Sequence, residues 1–157
     1  MAPPGRWVLL AYRIPREPST PRIGVWRKLK RLGVAQLGDG LVTLPLDSRN
    51  REQLEWAAEE IVDAGGEATI WLADPATAAQ ERGLAAEMAR AIAEQYAEVT
   101  REARAAVGKR TPARRTLLRL RRELGRIRRR DYFPPPERDE AHRAVEALTT
   151  RIEEAAA

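Results

Sequence analysis

The first half of the chain alternates short apolar runs with amphipathic stretches. Residues 7–12 form a continuous apolar run rich in strand formers, which predicts a buried strand. Residues 34–37 and 41–45 are two further apolar runs. The segment Gly38-Asp39-Gly40 lies between them and favours a hairpin, because glycine and aspartate tolerate positive φ. Residues 67–72 predict a fourth strand.

A helix is predicted between the first two strands. Thr20 followed by Pro21 indicates its start, because a hydroxyl can accept a free backbone N–H and proline has no N–H to leave unpaired. The helix is expected to reach about Leu32, with Gly33 ending it. One side of this helix is apolar, and the opposite side carries the basic residues Arg27, Lys28, Lys30 and Arg31.

A second helix is expected from a cap at Ser48 to about Ala64, before the pair Gly65-Gly66. The predicted order is then strand, helix, strand, strand, helix, strand. This order is the split βαβ, or ferredoxin-like, pattern, in which an antiparallel sheet carries both helices on one side. We therefore predict an α+β fold class, with a ferredoxin-like domain at residues 6–74.

Residues 75–157 predict a helical extension of about three helices. Asp74-Pro75 resembles a cap followed by a first helical residue, and this helix is expected to extend to about Val107. Pro112 opens an arginine-rich helix over residues 112–130, and a last helix spans about 137–154. Their apolar stripes are narrow, so they must pack on each other, on the sheet or on another chain.

The four tryptophans divide into two groups. Trp7, Trp26 and Trp71 lie on elements that need a core, so we expect all three to be buried in one. Trp56 points away from the apolar side of its helix. It is expected either to pack under the C-terminal helices or to mark a partner surface.

The chain offers few residues for catalysis. It has no cysteine, which excludes disulfides, thiol nucleophiles and thiolate metal sites. His142 has no second histidine beside it, so we expect a surface histidine, no metal and no cofactor. No phosphate-binding glycine motif opens a helix after a strand. We therefore expect a protein that is not an enzyme.

One catalytic alternative follows from the predicted topology. Small nucleases of the CRISPR spacer-acquisition machinery share it and place a metal-binding aspartate at the end of the first strand. Arg13 holds that place here, and its charge would repel Mg²⁺, so a nuclease is disfavoured. No apolar run approaches the roughly 20 residues of a membrane span, and we expect a cytoplasmic protein.

The net charge of +5 conceals a strong local asymmetry. Residues 109–130 carry eleven basic side chains and the single acid Glu123, and residues 6–31 carry eight basic side chains against Glu17 alone. Positive potential concentrated in this way indicates an anionic partner, with DNA the leading candidate. The alternative is internal pairing, in which the basic helix lies against acidic helices.

The helix at 112–130 separates apolar from basic residues. Its leucines and Ile127 share one side, whereas the nearly opposite side carries Arg115, Arg119, Arg122, Arg126 and Arg129. Like charges at i,i+4 destabilise a helix by about 0.2–0.5 kcal/mol each, so an external polyanion or an acidic partner helix would stabilise it. The planar guanidinium of arginine also fits phosphate in a bidentate manner.

A second basic group precedes and opens the first predicted helix. Arg22 lies in its first turn, where a positive charge opposes the helix dipole and a bound oxyanion would relieve the conflict. The candidate oxyanion-binding residues are Arg13, Arg16, Ser19, Thr20 and Arg22. The alternative is that Arg13 and Arg16 pair with Glu17 and with acids on neighbouring elements.

A long stretch of the chain resembles a known family. The stretch from Trp7 to Leu72 is similar to the N-terminal domain of the chromate-resistance proteins known as ChrB, above all in the pattern Tyr12-Arg-Ile-Pro-Arg-Glu-Pro-Ser-Thr-Pro-Arg-Ile-Gly-Val-Trp-Arg-Lys-Leu-Lys30. The segments Leu41–Pro45 and 55–68 fit as well. The resemblance implies a bacterial regulator that senses chromate and controls a chromate-efflux operon through DNA. In the family a second, C-terminal domain often follows.

Two functions therefore remain open at this point. The first is a DNA-binding transcriptional regulator of chromate resistance that contacts DNA through its arginine-rich surfaces, with no evident helix-turn-helix. The second is a non-catalytic sensor of chromate or sulfate, or a protein-interaction module. DNA is the expected partner, with an oxyanion and a second copy of the chain as further candidates and no membrane contact.

Overall fold

The structure is a computed structural model, and it describes residues 6–157. This part of the chain forms a four-stranded sheet and five helices, which confirms the α+β class. In chain order the elements are β1 (Trp7–Arg13), α1 (Ser19–Leu32), β2 (Ala35–Gly38), β3 (Leu41–Pro45), α2 (Ser48–Asp63), β4 (Glu67–Ala73), α3 (Ala78–Val107), α4 (Arg114–Arg129) and α5 (Glu137–Ala156).

The strands lie in the order β2-β3-β1-β4, and every neighbouring pair is antiparallel. Leu10 of β1 stands opposite Val42 on one side and Ile70 on the other, so these three side chains share one face of the sheet. Leu10 and Val42 are fully buried, and α2 packs over β1 and β4. The finer assignment to the ferredoxin-like topology stays a prediction.

Two glycines allow the turns before β3 and before β4 to lie against the last residues of β1. Gly40 has a φ of +68°, and its carbonyl accepts the Tyr12 N–H at 2.7 Å. A Cβ at Gly40 would lie 2.2 Å from the Tyr12 carbonyl oxygen, and a Cβ at Gly66 would lie 2.3 Å from that of Arg13. Only glycine permits approaches this close, so both turns depend on it.

The first two helices begin earlier than predicted, α1 by two residues and α2 by one. Pro18 stands at the N-cap of α1 without a side-chain cap, so the predicted start at Thr20-Pro21 is wrong. Asp47, not Ser48, caps α2, because its extended backbone lets Oδ1 accept the Asn50 N–H at 2.7 Å. A carboxylate accepts this bond more strongly than a hydroxyl does.

The next two helices begin later than predicted. Thr77 caps α3, its hydroxyl accepting the Gln80 N–H at 3.1 Å, while Asp74 pairs with Arg6 at 3.3 Å. The start predicted at Asp74-Pro75 is therefore wrong. Pro112 is buried two residues before α4, and extended Ala113 stands at the N-cap.

The prediction that three tryptophans are buried holds for one of them. Trp7 is 2 % exposed, and its indole N–H donates to Glu81 at 3.0 Å. Trp71 is 58 % exposed because it lies opposite Leu9, on the sheet face away from Leu10. Trp26 is 36 % exposed on the flank of α1, and Trp56 is 47 % exposed.

The chain divides into two compact units, one ending at Ala85 and the other formed by Ala86–Ala157. The second unit has a core of its own, in which the narrow apolar stripes of its helices pack on each other. The domain boundary predicted between residues 74 and 75 stays a prediction. No helix among residues 6–157 combines the length and apolarity that crossing a membrane requires.

Candidate nucleic-acid interface

Helix α4 buries its apolar side and exposes its arginines. The buried residues are Leu117, Leu120, Leu124 and Ile127, and all four belong to the core of the second unit. Seven arginines of α4 are more than a third exposed on its remaining surface, in addition to Arg119, which pairs with a neighbouring helix. Because the leucines pack in one core with residues of α3 and α5, the opposite side of α4 faces solvent.

Some arginines of α4 and its C-terminal end are held by neighbouring groups. Arg119 forms an ion pair with Glu102 of α3, and Arg126 pairs with Glu123 at 3.2 Å. The guanidinium of Arg121 donates to the Thr149 hydroxyl at 3.0 Å on α5. Arg130, directly after α4, donates to the side-chain oxygen of Gln95. Internal pairing, the alternative to an external partner, thus accounts for part of this basic group.

Three other arginines form a row that internal pairing does not reach. Arg115, Arg122 and Arg129 are exposed and make no ion pair with any residue between 6 and 157. They are seven residues apart, which places successive members about 10 Å apart along the helix axis. We call Arg115, Arg122 and Arg129 the free arginine row.

Two uncharged positions lie along one edge of this row. Leu118 is 42 % exposed, and a Cβ built on Gly125 would meet no atom within 4 Å. Leu118 and Gly125 alternate with the arginines along the same side of the helix, at spacings of three and four residues. The free arginine row therefore presents its guanidinium groups without acidic neighbours between them.

The basic residues of α1 lie in the first unit and are described separately. Lys28 is paired with Glu60 of α2 at 2.7 Å, and Lys30 lies 5.8 Å from the centre of the Trp26 ring. Arg27 and Arg31 are exposed and make no ion pair within the described residues. Two of the four predicted contact residues of α1 are therefore already engaged.

The five candidate oxyanion-binding residues lie at the end of β1 and the start of α1. All five side chains, of Arg13, Arg16, Ser19, Thr20 and Arg22, are exposed. In the described part of the chain neither Arg13 nor Arg16 forms the ion pair that was the alternative. Burial raises the pKa of Tyr12, while the nearby charge of Arg22 lowers it. The first turn of α1 contains no acid.

Sequence reasoning missed a buried polar contact in the second unit. The hydroxyl of Tyr96, a fully buried residue of α3, donates to Asp131 Oδ2 at 2.8 Å. Burial raises the pKa of Asp131 above its ordinary value, whereas the Tyr96 hydrogen bond and the charge of Arg138 lower it. The sequence signal was the position of Tyr96 on an apolar stripe, where a hydroxyl needs a partner.

The second unit also contains an open groove of about 320 Å³ that the sequence did not indicate. It is lined by Arg104 and Val107 from α3 and by four residues of α5, which are Glu140, Arg143, Ala144 and Ala147. His142 is half-buried on α5. Residues 6–157 hold no cluster of three or more histidine, cysteine or acidic side chains arranged to bind a metal ion.

Comparison with known proteins gives the family. The family model described as "Protein ChrB, N-terminal" matches residues 22–109, from the start of α1 to just beyond α3. Protein ChrB of Cupriavidus metallidurans is 32 % identical over 142 residues, which cover 85 % of this chain and 42 % of that protein. The chain thus spans less than half the length of this relative. No solved structure matches it.

The family model and the relative confirm the resemblance that the sequence showed. The family model reaches past the sheet through α3, and it ends before α4 begins. The arginine-rich helix therefore lies outside the range of the family model, although the longer match to the relative covers most of the chain. The chain belongs to the ChrB family.

Proposed function

We propose that this protein is a DNA-binding regulator of chromate resistance, and that the free arginine row contacts the phosphate backbone of the DNA. Membership of the ChrB family supports the association with chromate resistance. The strand order β2-β3-β1-β4 with two intervening helices supports a ferredoxin-like sheet domain in the first unit. Neither unit acts as a catalyst in this proposal.

A single observation carries the DNA contact. Arg115, Arg122 and Arg129 repeat every two turns on a solvent-facing side of α4, and acids between residues 6 and 157 neutralise none of them. A guanidinium without an acidic partner retains all five N–H donors for phosphate oxygens. Only two turns separate the members of the row, so one helix can contact several phosphates along a groove.

This arrangement favours backbone contact over the reading of bases. Arginine contacts guanine edges as well as phosphates, but arginines spread along a whole helix face are typical of side chains that position a protein on the DNA backbone. The free side of α4 offers Arg, Leu118 and Gly125 and no asparagine or glutamine. We therefore expect the row to supply affinity, with little discrimination between sequences.

Salt dependence tests the proposal. Fluorescence anisotropy with the DNA upstream of the gene should show affinity that falls steeply between two salt concentrations, because bound phosphates release counterions. Replacing Arg115 and Arg122 with alanine should lower the salt slope by about 2, since each lost phosphate contact removes about 0.9. Binding to unrelated DNA should weaken equally.

The matched control removes the same charge elsewhere. Arg82 and Arg90 are exposed on α3 and make no ion pair within the described residues. Their double alanine variant should leave the salt slope within error of the wild type. Absence of DNA binding at low salt, or equal slopes for the two double variants, contradicts the proposal.

One observation favours a second function, binding of an oxyanion. Arg13, Arg16 and Arg22 are exposed without acidic partners where α1 begins, and no acid lies in its first turn. Calorimetry with chromate and with sulfate would detect such a site. Heat of binding that is unchanged by Arg22→Ala counts against it.

A further inference from the structure

The helical side of the sheet domain carries opposite charges on its two helices. On α1, Ile23, Arg27 and Lys30 fall at spacings of four and three residues, so they share the solvent-facing side with Arg31. On α2, Glu52, Trp56, Glu59 and Asp63 follow the spacing four, three and four. Both sets lie opposite the buried residues of their helices.

These opposite charges do not neutralise each other within one copy. Lys28–Glu60, at 2.7 Å, is the one ion pair between α1 and α2 in the described residues. Arg27 and Arg31 stay unpaired on α1, and Glu52, Glu59 and Asp63 stay unpaired on α2. The exposed side of α1 is thus mainly basic and that of α2 mainly acidic, apart from Arg49 at the start of α2.

An exposed tryptophan stands at the centre of the acidic row. Trp56 is 47 % exposed, and its indole N–H donates no hydrogen bond within residues 6–157. Its helical neighbours at i−4, i+3, i+4 and i+7 are all acids: Glu52, Glu59, Glu60 and Asp63. A ring face surrounded by carboxylates suits a guanidinium, which combines a cation–π contact with ion pairs.

We propose that this helical face is the interface of a two-fold symmetric homodimer, in which Arg27 and Arg31 on α1 of one copy contact the Trp56 patch on α2 of a second copy. A two-fold axis makes every such contact occur twice, because the same face serves both copies. Exposed Ile23 adds apolar area next to the arginines. A second copy is favoured over a foreign partner because the one face already carries both complementary rows.

The inference does not depend on DNA binding, since α4 and α1 belong to different units. It gives Arg27 and Arg31 a role other than the nucleic-acid contact that their charge first suggests. Tryptophan and arginine are the residues that most often dominate interface energetics. Removal of Trp56 should therefore weaken the dimer more than removal of any single acid around it.

Sedimentation velocity over a concentration series tests this directly. The full chain should show a concentration-dependent monomer–dimer equilibrium. Trp56→Ala should raise its dissociation constant by about thirtyfold, the effect of a typical interface anchor. Trp71→Ala is the matched control, because Trp71 is also exposed, at 58 %, but lies on the sheet, and it should leave the constant unchanged.

Charge reversal supplies a decisive second measurement. The variant Arg27→Glu with Arg31→Glu reverses the two arginines of the α1 row, and the variant Glu52→Arg with Glu59→Arg reverses two acids of the α2 row. Each alone should be monomeric. Mixing them should restore a heterodimer, because both α1–α2 contacts in the mixed pair join opposite charges. Circular dichroism of each variant confirms that the helices remain folded.

Three results would overturn the inference. One is a wild-type chain that is monomeric at every concentration up to the millimolar range. Another is a dimer that Trp56→Ala leaves unchanged or that Trp71→Ala weakens as much. The third is a mixture of the two charge-reversed variants that stays monomeric while both variants are folded.

Discussion

The hydroxyl of Tyr96 donates a hydrogen bond of 2.8 Å to Oδ2 of Asp131, which joins the middle of α3 to the segment between α4 and α5. Tyr96 is fully buried, and the other carboxylate oxygen, Oδ1, is buried without a hydrogen-bond partner in the described residues. Among the described residues, Tyr96 is the side-chain donor to this carboxylate, and the Phe133 backbone also hydrogen-bonds to it. Loss of the Tyr96–Asp131 hydrogen bond should therefore destabilise the second unit.

Tyr96→Phe should destabilise the protein by about 1–3 kcal/mol, because it leaves the partly buried Asp131 carboxylate without its side-chain donor. Urea denaturation followed by circular dichroism measures the change in unfolding free energy. Tyr12→Phe is a suitable control, since Tyr12 is half-buried in the first unit and its hydroxyl has no side-chain hydrogen bond in the described residues. Equal stability of wild type and Tyr96→Phe would show that the contact contributes nothing.

Asp131→Asn should alter the pH dependence of stability. Burial raises the Asp131 pKa in the folded protein above its ordinary value of 3.8, so the folded state binds the proton more readily than the unfolded chain. The stabilisation from this proton is complete below the ordinary value and is lost as the pH rises through the folded pKa. The unfolding free energy of the wild type should therefore rise relative to that of Asp131→Asn as the pH falls. A shift in the opposite direction between pH 7 and pH 3 would mean that the Tyr96 and Arg138 contributions outweigh burial.

The N-cap of α2 provides a prediction with an adjacent control. Asp47→Ala should cost about 1 kcal/mol, because it removes the oxygen that accepts the Asn50 N–H. Ser48→Ala should change the unfolding free energy by less than about 0.5 kcal/mol, since Ser48 is exposed and makes no capping bond. Thermal and urea unfolding of both variants measure these changes. A larger loss of unfolding free energy for Ser48→Ala than for Asp47→Ala would show that Ser48 caps the helix, as the sequence alone predicted.

Gly66→Ala should destabilise the protein by about 1–3 kcal/mol, because its Cβ would lie 2.3 Å from the Arg13 carbonyl oxygen and force the backbone apart. Gly83→Ala tests the same substitution where a Cβ meets nothing within 4 Å. Gly83 lies inside α3, so alanine there should stabilise by about 0.5–1 kcal/mol. Equal effects at the two positions would contradict the close approach at Gly66.

The sequence predicted most of the elements because their signals are local. Strand β3 and the end of α3 at Val107 fall where the periodicity placed them. The helix starts were less predictable. Asp47 and Ser48 are both good caps by type, and backbone geometry at Asp47 decides between them. At α3, Thr77 caps the helix while Asp74 pairs with Arg6, a choice that depends on a residue far away in the chain.

The candidate surfaces show the same division. The sequence placed the arginines of α4 on one side of a helix, because a helical repeat fixes the relative directions of side chains along it. It did not distinguish Arg119, which pairs with Glu102, from Arg122, which is free. That distinction depends on which helix packs beside α4.

The sequence by itself determined the family, the α+β class, the apolar and basic sides of α1 and α4 and the shortage of catalytic groups. These properties follow from residue types and from spacings of a few residues, which no distant contact alters. The tertiary structure alone decided which charges are neutralised, which tryptophans are exposed and that Tyr96 bonds to Asp131. Such outcomes require segments that are far apart in the chain to meet, and the physical reason is that pairing and burial are properties of the packed interface, not of either segment alone.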